Sequence, residues 1–124
     1  MLGLNAQTGQ PLAGIDHLRQ SIRDILTTLG LAQARSGDPT AGAASIRRGM
    51  QYVADGSIPQ AKCLYALAEA DMRAGHLDVA EQGALRSLDI MRKQLPDDAE
   101  EVLQAKGFLS QVYEQQSRYA DGEK

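Results

Sequence analysis

The side chains able to bind a metal or act as a nucleophile are few and scattered: two histidines, His17 and His76, and one cysteine, Cys63. Neither histidine has a second His, Cys or carboxylate at metal-ligand spacing, and His76 stands at a turn where a solvated imidazole is ordinary. Cys63 adjoins Leu64 in an apolar stretch, so it is expected to be buried as a small hydrophobe; no base can be nominated to make it a nucleophile. Asp97, Asp98, Glu100 and Glu101 resemble a paired-carboxylate site, but they precede Val102 as caps and favourable charges at a helix N-terminus would. Arg47 and Arg48 could form a docking patch and read more simply as a solvated helix face. The sequence has no phosphate-cradling glycine loop, nucleophile elbow or zinc motif. The expectation is a protein that is not an enzyme and uses no cofactor and no metal.

A chain of 124 residues is sized for one core. Its 43% hydrophobic and 23% charged content, with net charge −3, belongs to a folded domain and not to a disordered tail. The apolar residues are mostly Ala, Leu and Ile, with no Trp, one Phe and four Tyr, so small side chains must meet at close range, as packed helices allow. Lys and Arg are dispersed, which argues against nucleic acid as a partner. No apolar run approaches the roughly 20 residues needed to span a bilayer, so no membrane partner is expected. The N-terminus lacks a signal-peptide pattern and one cysteine cannot close an internal disulfide, which together imply a cytoplasmic protein.

Five helices must position whatever site exists. Residues 1–14, rich in Gly and polar side chains, read as a flexible arm, 15–119 as a single helical domain, and 120–124 as a frayed tail. Ile15, Leu18, Ile22, Ile25 and Leu29 recur at steps of three and four, with Arg19, Gln20, Arg23 and Asp24 turned away: an amphipathic helix that reaches a stop at Gly37. Asp38 and Pro39 start a second, edged by Ile46, Met50 and Val53 and ending near Gly56. Ser57 and Gln60, at capping-box spacing, open a third with a stripe of Ala61, Leu64, Leu67, Ala68 and Met72, which Gly75 ends. A fourth carries Ala80, Ala84, Leu88 and Met91 to Leu95 and Pro96. The fifth opens at Asp98, with Glu101 three residues on, and carries Val102, Ala105, Leu109, Val112 and Tyr113. Turns this short make neighbouring helices antiparallel.

The stretch from Leu64 through Leu67, Ala68, Gly75 and Ala80 resembles a tetratricopeptide repeat. Leu26, Leu29, Gly30, Gly37 and Gly42 match more weakly upstream, as do Lys106, Leu109, Ser110, Ser117 and Gly122 downstream. Both intervals, Gly37 to Gly75 and Gly75 to Ser117, exceed the usual 34 or so residues. The long second helix before Pro96, Asp97 and Asp98 is similar to the kinesin-light-chain type. The resemblance, spanning about residues 23–122, implies an all-α fold of antiparallel helix hairpins stacked as a short solenoid. It also implies a concave groove that binds a protein or peptide, lined by Lys62, Tyr65, Glu69 and Met72 in the central repeat. The corresponding positions are Asp24, Thr27, Leu31 and Ala34 in the first repeat, and Gln104, Gly107, Gln111 and Glu114 in the last. Of the Lys and Asn residues with which carboxylate-clamp members grip a C-terminus, only Lys62 is present; a short helix or extended peptide is the better-suited occupant.

Residues 3–28, from Gly3-Leu4-Asn5 through Asp16 and His17 to Thr28, resemble the start of the phage baseplate wedge protein W family. That family continues into a Pro-containing turn and an Arg-rich strand. Here Leu29, Gly30, Leu31 and Ala32 continue a helix, so the family's role in the baseplate does not carry over. A natural or engineered fusion near Thr28, or a helix recruited to cap the stack with a polar face, accounts for the match. Two functions follow: a non-catalytic binding module with a peptide groove, or an assembly protein that self-associates through its open repeat ends.

Overall fold

The computed structural model describes residues 13–120, of which the five α-helices are α1 (Ala13–Arg35), α2 (Pro39–Gly49), α3 (Ile58–Arg73), α4 (Leu77–Gln94) and α5 (Glu100–Ala120). The fold is all-α, with antiparallel helix hairpins stacked in chain order and α1 also lying against α3. Residues 1–12 of the expected arm over 1–14, and 121–124 of the expected tail over 120–124, lie outside the described residues, and Ala120 is the last residue of α5. Gly14, assigned to that arm, is already helical.

The hairpin turns follow from two glycines in the left-handed region, Gly37 at φ 105° and Gly75 at φ 85°. Each closes the preceding helix with the same pair of bonds. Asp38 N donates to Gln33 O at 2.9 Å and Gly37 N to Ala34 O at 3.4 Å; His76 N donates to Asp71 O at 2.8 Å and Gly75 N to Met72 O at 3.0 Å. This pairing satisfies carbonyls that a helix end would otherwise leave open. Asp38 accepts from Ala41 N at 3.1 Å and Ser57 from Gln60 N at 3.2 Å, so both expected caps form. Gln60 departs from a capping box: its side chain accepts from Gly56 N at 2.7 Å and donates to Asp55 at 2.9 Å, bracing the preceding loop.

Two boundaries differ from expectation. α2 ends at Gly49 instead of near Gly56, and a 3-10 turn, Met50–Tyr52, leads into the loop. α5 starts at Glu100, with Leu103 N donating to Ala99 O at 3.0 Å, so Ala99 holds the position assigned to Asp98. The tight turn after Pro96, closed by Ala99 N on Pro96 O at 3.0 Å, delays helix entry by that residue.

The larger correction concerns α1. The stripe expected to pack inward is turned out: Leu18, Ile25 and Leu29 are 57%, 65% and 46% exposed. Arg23, expected outside, has only 15% of its side chain accessible. The cause is the crossing with α2, where a Cβ on Gly30 would lie 2.5 Å from Ile46 Cγ1 and 2.6 Å from Gly42 O, and one on Gly42 would strike Gly30 O. Only glycine on both helices permits that approach, so the Gly30 face of α1, and not its Leu and Ile face, meets α2. The second hairpin crosses in the same manner with Ala68, Ala80 and Ala84, all fully buried. Its next contact is Ser87 Oγ donating to Ala61 O at 2.6 Å.

The core runs through the stack as three adjoining clusters. One joins Ala34, Ala43 and Ile46 to Cys63, Ala66 and Ala70; another joins Ala61 and Leu64 to Leu88, Met91, Val102 and Ala105. The third joins Ala68, Ala80 and Ala84 to Phe108, Leu109 and Val112. The expected stripes of α3, α4 and α5 are thus inside, except that Leu67 and Met72 are half-buried and Tyr113 is 45% exposed. No described helix is long and apolar enough to cross a membrane.

Candidate binding groove

The first helices of successive hairpins, α1, α3 and α5, bring five of the expected groove residues onto one surface. Lys62, Tyr65 and Gln104 line a cleft of about 350 Å³ together with Met91, Glu100 and Glu101. Asp24, Thr27 and the same Lys62 line a second, also about 350 Å³, with Arg23, Thr28, Ile58, Pro59 and Cys63. Lys62 is exposed and stands on the ridge between the two. It occupies an α3 position whose helical neighbours Ala61 and Cys63 are buried, so the backbone that carries it is fixed by the core.

The floor of the first cleft is held by aromatic packing, Tyr65 lying against Phe108 with ring centroids 5.2 Å apart and planes inclined at 48°. That tilted geometry is a favourable one for two aromatic rings and is the bridge between α3 and α5. Burial, and then the nearby Glu69 carboxylate, push the Tyr65 phenol above its ordinary range, so it remains neutral. In the second cleft the Cys63 sulfur lies 3.6 Å from Thr27 Oγ1. Burial raises the thiol, outweighing the Thr27 hydrogen bond and the Arg23 charge that act the other way. A protonated, nearly inaccessible thiol is a packing group and not a nucleophile.

The remaining expected positions fall elsewhere. Glu69 is buried, its carboxylate taken by Arg35 of α1 through bonds of 2.7 and 3.0 Å and by Arg73 at 3.3 Å. The Arg35 hydrogen bond leads in holding Glu69 below the usual carboxylate range, against an opposing cost of burial. At this level the surface is closed by an Arg35–Glu69–Arg73 strut instead of opened for a ligand. Ala34 is buried in the α2 crossing, Leu31 packs on the cluster around Ile46, and Met72 packs on the cluster around Phe108. Gly107, Gln111 and Glu114 are exposed on α5 and line neither cleft.

Arg35 was no candidate from the sequence, because its partner lies 34 residues away and one helix over. The sequence points to Met91 as core and to Glu100 and Glu101 as helix charges, and only the α4–α5 turn brings them beside Lys62. Asp71, also unanticipated, is a buried carboxylate pushed up chiefly by desolvation, with Arg47 and His76 opposing; His76 Nδ1 is 4.0 Å away. Among the described residues no three His, Cys, Asp or Glu side chains gather as a metal site would require. No family model matches the chain, and no curated protein or solved structure matches it.

Proposed function

We propose that this protein is a non-catalytic interaction module of the tetratricopeptide type, which holds a peptide or short helix along the surface formed by α1, α3 and α5. The observation that carries the reading is the pair of clefts sharing Lys62, because they align side chains of α1, α3 and α5, with Met91 of α4, into one path. The repeated turn at Gly37 and Gly75, with the same two bonds at each, supports the repeat assignment. The chemistry of the path points to the occupant: an apolar floor of Tyr65 and Met91, cations at Lys62 and Arg23, the latter paired with Asp24 at 3.0 Å, and carboxylates at Glu100 and Glu101. A peptide that seats an apolar side chain on Tyr65 and offers a basic residue to Glu100 and Glu101 complements it.

The test is selection of displayed peptides on the wild-type protein, followed by amide chemical-shift mapping of the best binder. Glu100→Gln with Glu101→Gln removes the carboxylates that the basic residue would meet and should weaken binding at least about tenfold, or about 1.4 kcal/mol. Shifts should cluster at residues 24–28, 62–65 and 100–104. A binder whose shifts map to the outer faces of α2 or α4, or whose affinity ignores Glu100 and Glu101, would sink the reading.

A further inference from the structure

The face that α1 turns to solvent has a regular order. Ile15, Ile22 and Leu29 recur every seven residues, and Leu18, Ile25 and Ala32 follow each by three. Apolar residues at both of these heptad positions over three heptads form the seam of a two-helix coiled coil. Leu18, Ile25 and Leu29 are about half exposed or more, Ala32 is exposed, and Ile15 and Ile22 are half-buried. The α2 crossing engages Gly30, Ala34 and, beside Gly49, Leu26, with Ser45 donating to Gln33 at 2.7 Å, and α3 engages Thr27 and Arg35; the seam residues lie on the other side of α1. It is an extended apolar patch of the kind that marks an interface.

We propose that the seam pairs with the same seam of a second copy, antiparallel about a two-fold axis. The occupant follows from self-complementarity, since a two-fold interface must match itself. In the antiparallel register Ile15 lies opposite Ala32 of the second copy, Leu18 opposite Leu29, and Ile22 opposite Ile25, so every layer sets large against small or like against like. At the flanks Arg19 faces the uncharged Gln33 of the second copy, and Arg35 stays with Glu69 of its own chain. No like charges oppose one another. A parallel pair would instead stack Ala32 on Ala32, leaving a void at one end, and align the two helix dipoles.

The seam from Ile15 to Ala32 is about 27 Å long at 1.5 Å per residue. Closing it with its flanks buries on the order of 600 Å² per copy, which meets the floor of about 1,200 Å² for a specific interface, the size at which weak and reversible pairs are found. The seam and the groove occupy different faces of α1, so the dimer would carry two open grooves; the pairing stands whether or not the grooves bind peptide.

Sedimentation velocity of the full chain between about 1 and about 200 µM tests it; a reversible monomer–dimer equilibrium is expected in that range. Ile25→Glu should raise the dissociation constant by at least about tenfold while the circular dichroism and monomer melting stay unchanged, because the side chain is exposed in the monomer. Leu103→Glu, on the open face of α5, should leave the dimer intact. A wild-type chain monomeric throughout, a dimer indifferent to Ile25→Glu, or one abolished by Leu103→Glu would each overturn the proposal. Orientation is read by oxidation of cysteine variants. A mixture of Leu18→Cys and Leu29→Cys should cross-link between the two species, whereas Leu29→Cys linking to itself would refute the antiparallel register.

Discussion

Glu69 is the residue at which electrostatics and packing are most tightly joined. Its carboxylate is largely buried and is held by two partly exposed guanidinium groups, one from α1 and one a turn away on its own helix. Its folded-state acidity lies below the ordinary value of 4.5, so the stabilisation is present above that pH and is lost as pH falls through the lowered value. Asp71 has the opposite sign: burial holds it above its ordinary 3.8, so it lowers stability as pH rises from there through the raised value. Glu69→Gln should therefore cost about 1–3 kcal/mol at pH 7 and flatten the acid limb of the stability curve. Asp71→Asn should steepen the rise of stability with pH just above about 3.8. Urea denaturation of both variants at several pH values measures these slopes; parallel curves for the two would show that neither carboxylate titrates in folding. The Cys63 thiol, raised by burial, should react with a thiol reagent in the native state only at the rate of local opening.

At the scale of helices, small residues decide which faces meet. Gly30 and Gly42 lie with backbone against backbone, whereas a Cβ on Gly107 in the middle of α5 would meet nothing within 4 Å. Gly30→Ala should destabilise by at least about 2 kcal/mol through overpacking. Gly107→Ala should stabilise by roughly 0.5–1 kcal/mol, because it lowers the backbone entropy lost in an exposed helix at no steric cost. Thermal melts of the pair check this directly, and equal shifts in one direction would contradict the crossing geometry. The start of α3 can be probed in the same way: Ser57→Ala removes the acceptor for Gln60 N and should cost about 1 kcal/mol. The turns and most helix spans were legible because Gly, Pro and capping residues act locally. The end of α2 was not, since Met50 and Val53 continue a helical spacing while packing as a turn on the clusters around Leu64 and Ile46.

Across the whole molecule, burial is greatest in the middle of the stack. α3 is covered by α1, α2 and α4 and touches α5 through Tyr65 and Phe108, while the start of α1 extends past the end of α2 with its apolar seam open. Hydrogen exchange should therefore be slowest at the amides of α3 and the α3-facing turns of α4, and fastest over residues 13–22. Protection in 13–22 that rises with protein concentration would be the signature of the paired seam. α5 is tied back to α4 near its C-terminal end, where Gln116 donates to Asp78 at 3.1 Å and to Glu81 at 2.9 Å, so it should exchange at an intermediate rate.

The amino-acid sequence by itself determined the all-α class, the hairpin turns at Gly37 and Gly75 and the inward stripes of α3 and α4. Each of these rests on interactions within a turn or two of helix, or on a periodicity that one face must bury. The resemblance to a tetratricopeptide repeat led to Asp24, Thr27, Lys62, Tyr65 and Gln104 being expected on one surface, and they line the two adjoining clefts. Only the tertiary structure decided which face of α1 is inside, because two helical faces could each have been buried and the choice lay in the fit of Gly30 to Gly42 across the hairpin. It likewise decided that Glu69 serves Arg35 instead of a ligand. That pairing depends on the rotation of α1 against α3, which periodicity leaves free and close packing fixes.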